Sequence, residues 1–195
     1  MKPSWVFASN NTHKLEEVRK ILGAHVHILS LNDIDCHVNP EETGLTFAEN
    51  ALIKCRAVAE YTVLPVLADD SGLSVIALKG QPGVKSARYA GEGASDRDNM
   101  LKLLAEMQHQ EDRRANFTAC LCLYVLQTGP QFFEGTVNGT IISEPRGAAG
   151  FGYDPVFVPD GYKLTFAELG SDLKNSISHR RIALNKLLSS GVLSI

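Results

Sequence analysis

The chain has no apolar run approaching the ~18 residues of a membrane-spanning helix, and no charged leader followed by an apolar core and a cleavage site. It is expected to be neither secreted nor membrane-spanning. Disulfide and zinc patterns are missing too. The four cysteines, Cys36, Cys55, Cys120 and Cys122, lie far apart or two residues apart on one face of a strand, with no metal-ligand spacing. A reducing cytoplasm suits such thiols. Basic charge is not in excess: the formal net charge of −3 argues against a broad footprint for duplex nucleic acid, while a concentrated cationic pocket for a small anion is permitted. No internal repeat, low-complexity tract or Pro/Gly/Ser linker offers a place to cut the chain. The 195 residues therefore read as one domain or two closely packed lobes.

What is present is an ordinary globular composition. With 44% hydrophobic and 21% charged residues, a chain of this length buries roughly 70% of its unfolded surface. The most informative stretch is Leu67-Ala68-Asp69-Asp70-Ser71-Gly72-Leu73. Val66–Ala68, behind the breaker Pro65, reads as a short buried strand. Two acids directly after such a strand need cations, protons or strong donors nearby. Side chains alternate along a strand, so Asp69 and Asp70 should point to opposite sides, one to hold a metal or activate water and the other to brace a neighbouring turn. Ser71-Gly72 would let the backbone approach a ligand closely. The plain alternative is an Asp-Asp-Ser-Gly hairpin turn.

Before this centre, Trp5–Ala8 reads as a strand and Ser9-Asn10-Asn11-Thr12 as the turn into a helix, whose stripe is Leu15, Val18, Ile21 and Leu22 and whose end is Gly23. His13 and Lys14 fall in the opening turn of that helix. A cation there is unfavourable unless an anion is also bound, so Lys14 points to phosphate, a solvated surface lysine being the alternative. A strand is expected around Val26–Leu29. Thr46 and Glu49 form a capping box, so a helix should run from there to about Tyr61, with Ala48, Ala51, Leu52, Cys55, Val58 and Ala59 buried. Asn50 and Lys54 share a different face of it and could look into a cleft together. Glu41 and Glu42 lie on the loop before that helix, able to bring a carboxylate to a metal shared with the Asp pair.

After the centre, Ser74–Leu78 is expected to continue as a strand, and 79–83 to turn. Ser95 starts a helix with Met100, Leu101, Leu103, Leu104 and Met107 toward the core. Arg113-Arg114 reads as exposed and without chemistry. Phe117–Leu126 and Phe132–Ile142 form an antiparallel pair inside a mixed sheet. The Gly-rich run 145–155 suits a loop against a flat ligand, with Phe151 or Tyr153 as a stacking face and Asp154 as an acceptor; a surface turn is the alternative. Ser178 caps a last helix, with Ile177 stapled onto Ile182. That places His179, Arg180 and Arg181 at a positive dipole end, where a bound triphosphate would remove the penalty.

Five motifs in this order resemble the inosine triphosphate pyrophosphatase family, also called HAM1-like proteins: Ser9–Lys14; Glu41–Phe47 with Lys54; Ala68–Gly72; Phe151–Pro155; and Lys174 with Ser178-His179-Arg180. The resemblance covers nearly the whole chain. It implies an α/β fold, with a long mixed β-sheet flanked by helices and a single ITPase-like domain of two lobes around a central substrate cleft. It implies Mg²⁺-dependent hydrolysis of ITP, dITP and XTP between the α- and β-phosphates, giving a monophosphate and pyrophosphate. Asp70 would be the general base and a metal ligand, with Glu41 or Glu42, and Asp69, completing the metal set. Ser9, Asn10, Asn11, Thr12, His13 and Lys14 would grip the phosphates, with Lys54 and Ser71 nearby. Phe151, Gly152, Tyr153 and Asp154 would enclose the base, and Lys174, His179 and Arg180 would complete its pocket. Asn10 stands where many members have glycine, and tolerates left-handed conformations well enough to keep the turn. A cytoplasmic homodimer is implied, with nucleic acid as beneficiary and not as ligand. The rivals are a pyrophosphatase of the same architecture that prefers modified pyrimidines, as in the Maf-like proteins, a non-hydrolysing nucleotide sensor, and a nucleic-acid-binding module.

Overall fold

Residues 2–194 are described by a computed structural model. The described residues build one six-stranded sheet, with β-branched and aromatic residues most numerous in β1, β4 and β5: β1 (Ser4–Phe7), β2 (His27–Leu29), β3 (Val66–Val75), β4 (Arg114–Val125), β5 (Gly129–Ile141) and β6 (Phe157–Pro159). Their order across the sheet is β2-β1-β3-β4-β5-β6. β1 runs parallel to β2 and β3, with Val6 opposite Val66, whereas β6 is antiparallel to β5, with Thr140 opposite Val158. Neighbouring β4 and β5 are joined by three residues, a length that only an antiparallel pair allows. The sheet is thus mixed, as expected.

Among the described residues, five α-helices accompany it: α1 (Thr12–Leu22), α2 (Phe47–Ala59), α3 (Asp96–Glu106), α4 (Phe166–Ile177) and α5 (His179–Ser189). Asn11 caps α1, and capping boxes of Thr46 with Glu49, Ser95 with Asp98 and Thr165 with Glu168 start α2, α3 and α4. The chain divides into two compact units: the first holds residues up to Asp70, Ala119–Gly135 and the chain from Arg180 on, and the second holds Ser71–Thr118 and Thr136–His179.

In the first unit the period of two along the strands sorts apolar side chains into two cores. Trp5, Phe7, Leu67, Leu121 and Leu123 pack with Val18, Ile21 and Leu22 of α1 and with Ala183, Leu184 and Leu187 of α5. The intervening Val6, Ala8, Val66, Ala68 and Cys122 pack with Ala51, Cys55 and Val58 of α2. The second unit has its own core, in which Phe117, Phe157 and Phe166 meet at centroid distances of 4.8 to 5.9 Å and Leu103 of α3 and Met107 just after it are fully buried.

Several local expectations are corrected. Asp69-Asp70-Ser71-Gly72 neither ends a strand nor turns: β3 continues through it, because both acids find partners within reach. Ile76–Leu78 is a 3₁₀ turn and not strand, closed by Lys79 in the left-handed region. Leu101 faces solvent, being one position off the α3 stripe. The helix α4, unforeseen in the chain, bends at Gly170.

Arg113 is not idle. Its guanidinium donates to the carbonyl oxygens of Met107 (3.0 Å), Ile141 (2.5 Å) and Ile142 (3.1 Å), tying the end of α3 to the end of β5. Arg114 instead makes a two-point pair with Asp112 that lies open to water, where such pairs add little. Arg113→Ala should therefore lower the stability read from urea denaturation by about 2–3 kcal/mol, while Arg114→Ala leaves the midpoint in place.

Candidate active site

Strand alternation decides where the two central carboxylates go. Asp69 lies on the Leu67 side of β3, against α1 and α5, and Asp70 on the Ala68 side, against α2. Lys14 of α1 therefore reaches Asp69, its Nζ donating to Oδ1 at 2.7 Å. Arg180 of α5 donates from Nε to Asp69 Oδ2 at 2.7 Å and from Nη2 to Oδ1 at 3.3 Å, and its Nη1 bonds Glu17 of α1. Asp69 and Arg180 are each 1% exposed. Burial alone would push the Asp69 carboxyl up, but the Arg180 and Lys14 charges hold it well below the ordinary value.

On the other side, Lys54 of α2 donates from Nζ to Asp70 Oδ1 at 2.7 Å and to the Asp69 carbonyl oxygen at 2.9 Å, and stands 3.1 Å from Glu42 Oε1. Asn50, one helical turn earlier, donates from Nδ2 to Asp70 Oδ2 at 3.3 Å. Here burial wins: the Asp70 carboxyl is raised above its ordinary value in spite of Lys54. Burial works against the charge on Lys54, yet Asp70 and Glu42 raise its pKa. Burial lowers that of Lys14, outweighing the pull of Asp69. Adjacent acids titrating in opposite directions is the pattern of one structural carboxylate and one proton acceptor.

The phosphate-grip candidates run from the turn ahead of α1 into its first helical turn. Asn11 accepts from Lys14 N at 3.0 Å and donates from its own backbone to Ser9 Oγ at 3.2 Å, and Asn10 meets Asn39 at 3.4 Å. Asn10, Asn11, Thr12 and His13 are exposed, Ser9 and Lys14 half-buried. Ser71, also half-buried, follows Asp70 directly in β3. Of the two glutamates, Glu42 joins the network, while Glu41 faces solvent.

A hard cation such as Mg²⁺ is bound by one or two carboxylates together with water and substrate phosphate, not by an all-protein cage. Among the described residues no group of three or more His, Cys, Asp or Glu side chains is placed to hold a metal. Glu42 and Asp70 do converge on one ammonium, which marks a place where two carboxylates already share a positive charge. That donor set fits Mg²⁺. Asp69 faces two cations, Lys14 and Arg180, on the other side of β3 from Glu42, which makes it a poorer ligand than Asp70, whose partners are one lysine and an uncharged amide.

In the second unit, Lys174 of α4 donates from Nζ to Asp154 Oδ2 at 2.6 Å and lies 4.5 Å from the centre of the Phe151 ring. Asp154 Oδ2 also accepts from Phe151 N at 2.9 Å, and Gly152 N donates to Asp96 Oδ2 at 2.7 Å. Gly150 is left-handed (φ 81°), and a side chain there would strike the Asp154 carboxylate. The loop is thus built to hold Phe151 against a buried lysine. Tyr153 offers no stacking face: it is 3% exposed, with its hydroxyl donating to the Ser86 carbonyl oxygen at 2.8 Å. His179 is buried and stacked on Phe117, at 5.0 Å and 11°.

Carboxylates, not a triphosphate, offset the positive charge of Arg180 at the start of α5. Glu17 was not anticipated as a partner, although its spacing from Lys14 and Ile21 places all three on one face of α1. Asp96 carries no local signal, since its contact lies 56 residues away.

The Ham1 family profile matches residues 5–190. A dITP/XTP pyrophosphatase of Porphyromonas gingivalis is 48% identical over 183 residues, spanning 93% of this chain and 94% of that protein. One from Halalkalibacterium halodurans is 46% identical over 186 residues, spanning 94% and 96%. Among solved structures, a HAM1 protein from Coxiella burnetii superposes with TM-score 0.89 at 41% identity over 98% of both chains. The Staphylococcus aureus Ham1 protein gives 0.87 at 41% identity, over 95% of this chain and 96% of that one.

Removing Arg180 takes the guanidinium from two carboxylates, Asp69 and Glu17, and leaves Lys14 as the cation on Asp69, so Arg180→Met should cost about 3–5 kcal/mol, measured by urea denaturation at neutral pH. The pH dependence follows from the lowered native pKa of Asp69. Its unfolded form binds the proton more readily, so its contribution is complete above the ordinary carboxylate value of about 4 and fades as pH falls through the native one. The stability gap between wild type and Asp69→Asn should accordingly hold through neutral pH and shrink in strong acid.

Proposed function

The chain belongs to the Ham1 family, and on that premise we propose that it hydrolyses the deaminated purine nucleotides ITP, dITP and XTP to the monophosphate and pyrophosphate. The observation that carries this reading is Asp70: a buried carboxylate of raised proton affinity, anchored at one oxygen by Lys54 and at the other by Asn50. A base poised in this way can take the proton of a water attacking phosphorus. Lys14, Lys54 and the turn Ser9–His13 supply donors and positive charge for the triphosphate, with Ser71 beside Asp70. Mg²⁺ would be held by Asp70 and Glu42. When bound, it neutralises charge on the phosphates and stabilises the pyrophosphate leaving group. Asp69 and Arg180 act one step back, fixing Lys14 and the adjoining strand.

Recognition of the base is assigned to Phe151, Gly152, Asp154, Lys174 and His179. Phe151 stacks, and Lys174, which has donors and no acceptor, suits a 6-oxo oxygen. Adenine would set its own amino donors against that ammonium, an unpaired contact that selects against ATP. The same reading carries a cytoplasmic homodimer. Four buried free thiols suit a reducing compartment, and exposed Leu45, Tyr61 and Val63 in the first unit are apolar side chains available to a second copy. Light scattering should return a mass of two chains.

The first experiment is pyrophosphate release from ITP, dITP, XTP, ATP, GTP and dTTP, with Mg²⁺ and with chelator. Release confined to the first three and abolished by chelator is expected. Release from dTTP instead would turn the assignment to pyrimidines, and binding without release would make the protein a sensor. Asp70→Asn should lower turnover by about 10²–10⁴ with the fold intact by circular dichroism.

A further inference from the structure

We infer that Asn50 is a positioning residue that fixes the orientation of the Asp70 carboxylate and couples it to the loop carrying Glu42. The inference rests on the reading of Asp70 as base. Asn50 lies in the first turns of α2 and is 0% exposed. Its two ends do different work: Nδ2 donates to Asp70 Oδ2 at 3.3 Å, and Oδ1 accepts from Gly44 N at 2.8 Å. The partners dictate the amide's orientation, because a backbone N–H can only donate and a carboxylate only accept.

A carboxylate held at one oxygen turns about its Cβ–Cγ bond and exchanges its oxygens. Lys54 holds Oδ1 of Asp70, and the Asn50 amide on Oδ2 removes that freedom. The same amide reaches the loop. Gly44 lies two residues after Glu42, which pairs with Lys54. The contacts close a ring: Asp70 to Lys54, Lys54 to Glu42, along the chain to Gly44, then through Asn50 back to Asp70. A Cβ at Gly44 would stand 2.6 Å from Asn50 Oδ1 and 2.6 Å from Glu49 Cβ, so the loop rests directly on the amide. No smaller side chain closes this ring, and aspartate closes only half of it.

That half separates the two roles. Asn50→Asp keeps an acceptor for Gly44 N–H but loses the donor to Asp70. Steady-state kinetics with ITP and hydrogen exchange of the Gly44 amide are measured on wild type and variant together, with melting temperature as the check on folding. The expected result is a fall in kcat of about 10–100-fold, with KM within about twofold and Gly44 as protected as in wild type. Gly44→Ala, on the loop and outside the machinery, should also reduce kcat by displacing the amide, which keeps the inference testable if Asn50→Asp folds poorly. Wild-type kcat in either variant overturns it. Loss of Gly44 protection together with activity in Asn50→Asp also overturns it, because Asn50 would then act only by holding the loop. A wild-type enzyme that releases no pyrophosphate sinks the functional reading itself, an outcome distinct from equal rates in wild type and variant.

Discussion

Two consecutive carboxylates in the middle of a buried strand impose the constraint on which the first unit depends. A strand cannot send neighbouring side chains to the same side, and an ionised carboxylate cannot remain in the interior without a cation or several donors. Both sides of β3 must therefore supply positive charge. Lys14 and Arg180 meet the demand from α1 and α5, and Lys54 meets it from α2. The helices are placed as much by this requirement as by the apolar stripes that pack beside it, and Glu17 enters only because a fully buried Arg180 needs a second anion.

The division of labour between the two acids follows from how completely each is neutralised. Asp69 faces two cations at close range, and they outweigh its burial. Asp70 has one lysine, shared with Glu42, and an uncharged amide, so burial prevails and its carboxyl takes up a proton more readily. One residue becomes a fixed anion that organises Lys14, the other an acid with affinity for a proton. The difference arises from partners contributed by three separate helices. Exchanging the two cation sets would exchange the roles.

Local physics was legible in the chain, and long-range pairing was not. The caps of α2 and α3 and the opposite directions of Asp69 and Asp70 follow from spacing alone, and the structure bears them out. So does the shared face of Asn50 and Lys54, which meet on one carboxylate. The helix α4 went unread although Thr165 and Glu168 form the same box, because Gly170 interrupts its period. What the sequence concealed lies in contacts spanning many residues. Nothing local tells that Arg180 answers an acid 111 positions earlier and not a phosphate, or that Tyr153 spends its hydroxyl on the Ser86 carbonyl oxygen, 67 positions away. Glu42 is chosen over Glu41 because Lys54 reaches only one of two adjacent side chains on a loop, a difference in geometry and not in residue type.

Among the described residues, three lysines are held by buried aspartates: Lys14 by Asp69, Lys54 by Asp70 and Lys174 by Asp154. Each lysine comes from a helix and each aspartate from a strand or from the turn beside one. Stability does not account for them, because apolar residues of the same volume commonly serve a core as well as a buried ion pair or better. What a pair provides that leucine cannot is a fixed ammonium. A solvated lysine wanders over its four-carbon stem, whereas one pinned at 2.6 to 2.7 Å presents its remaining N–H vectors in set directions. For groups proposed to meet phosphate or purine oxygens, such preorganisation would remove the ordering cost from the binding step. On the proposed reading, the desolvation of three ion pairs is offset in chemistry and not in folding.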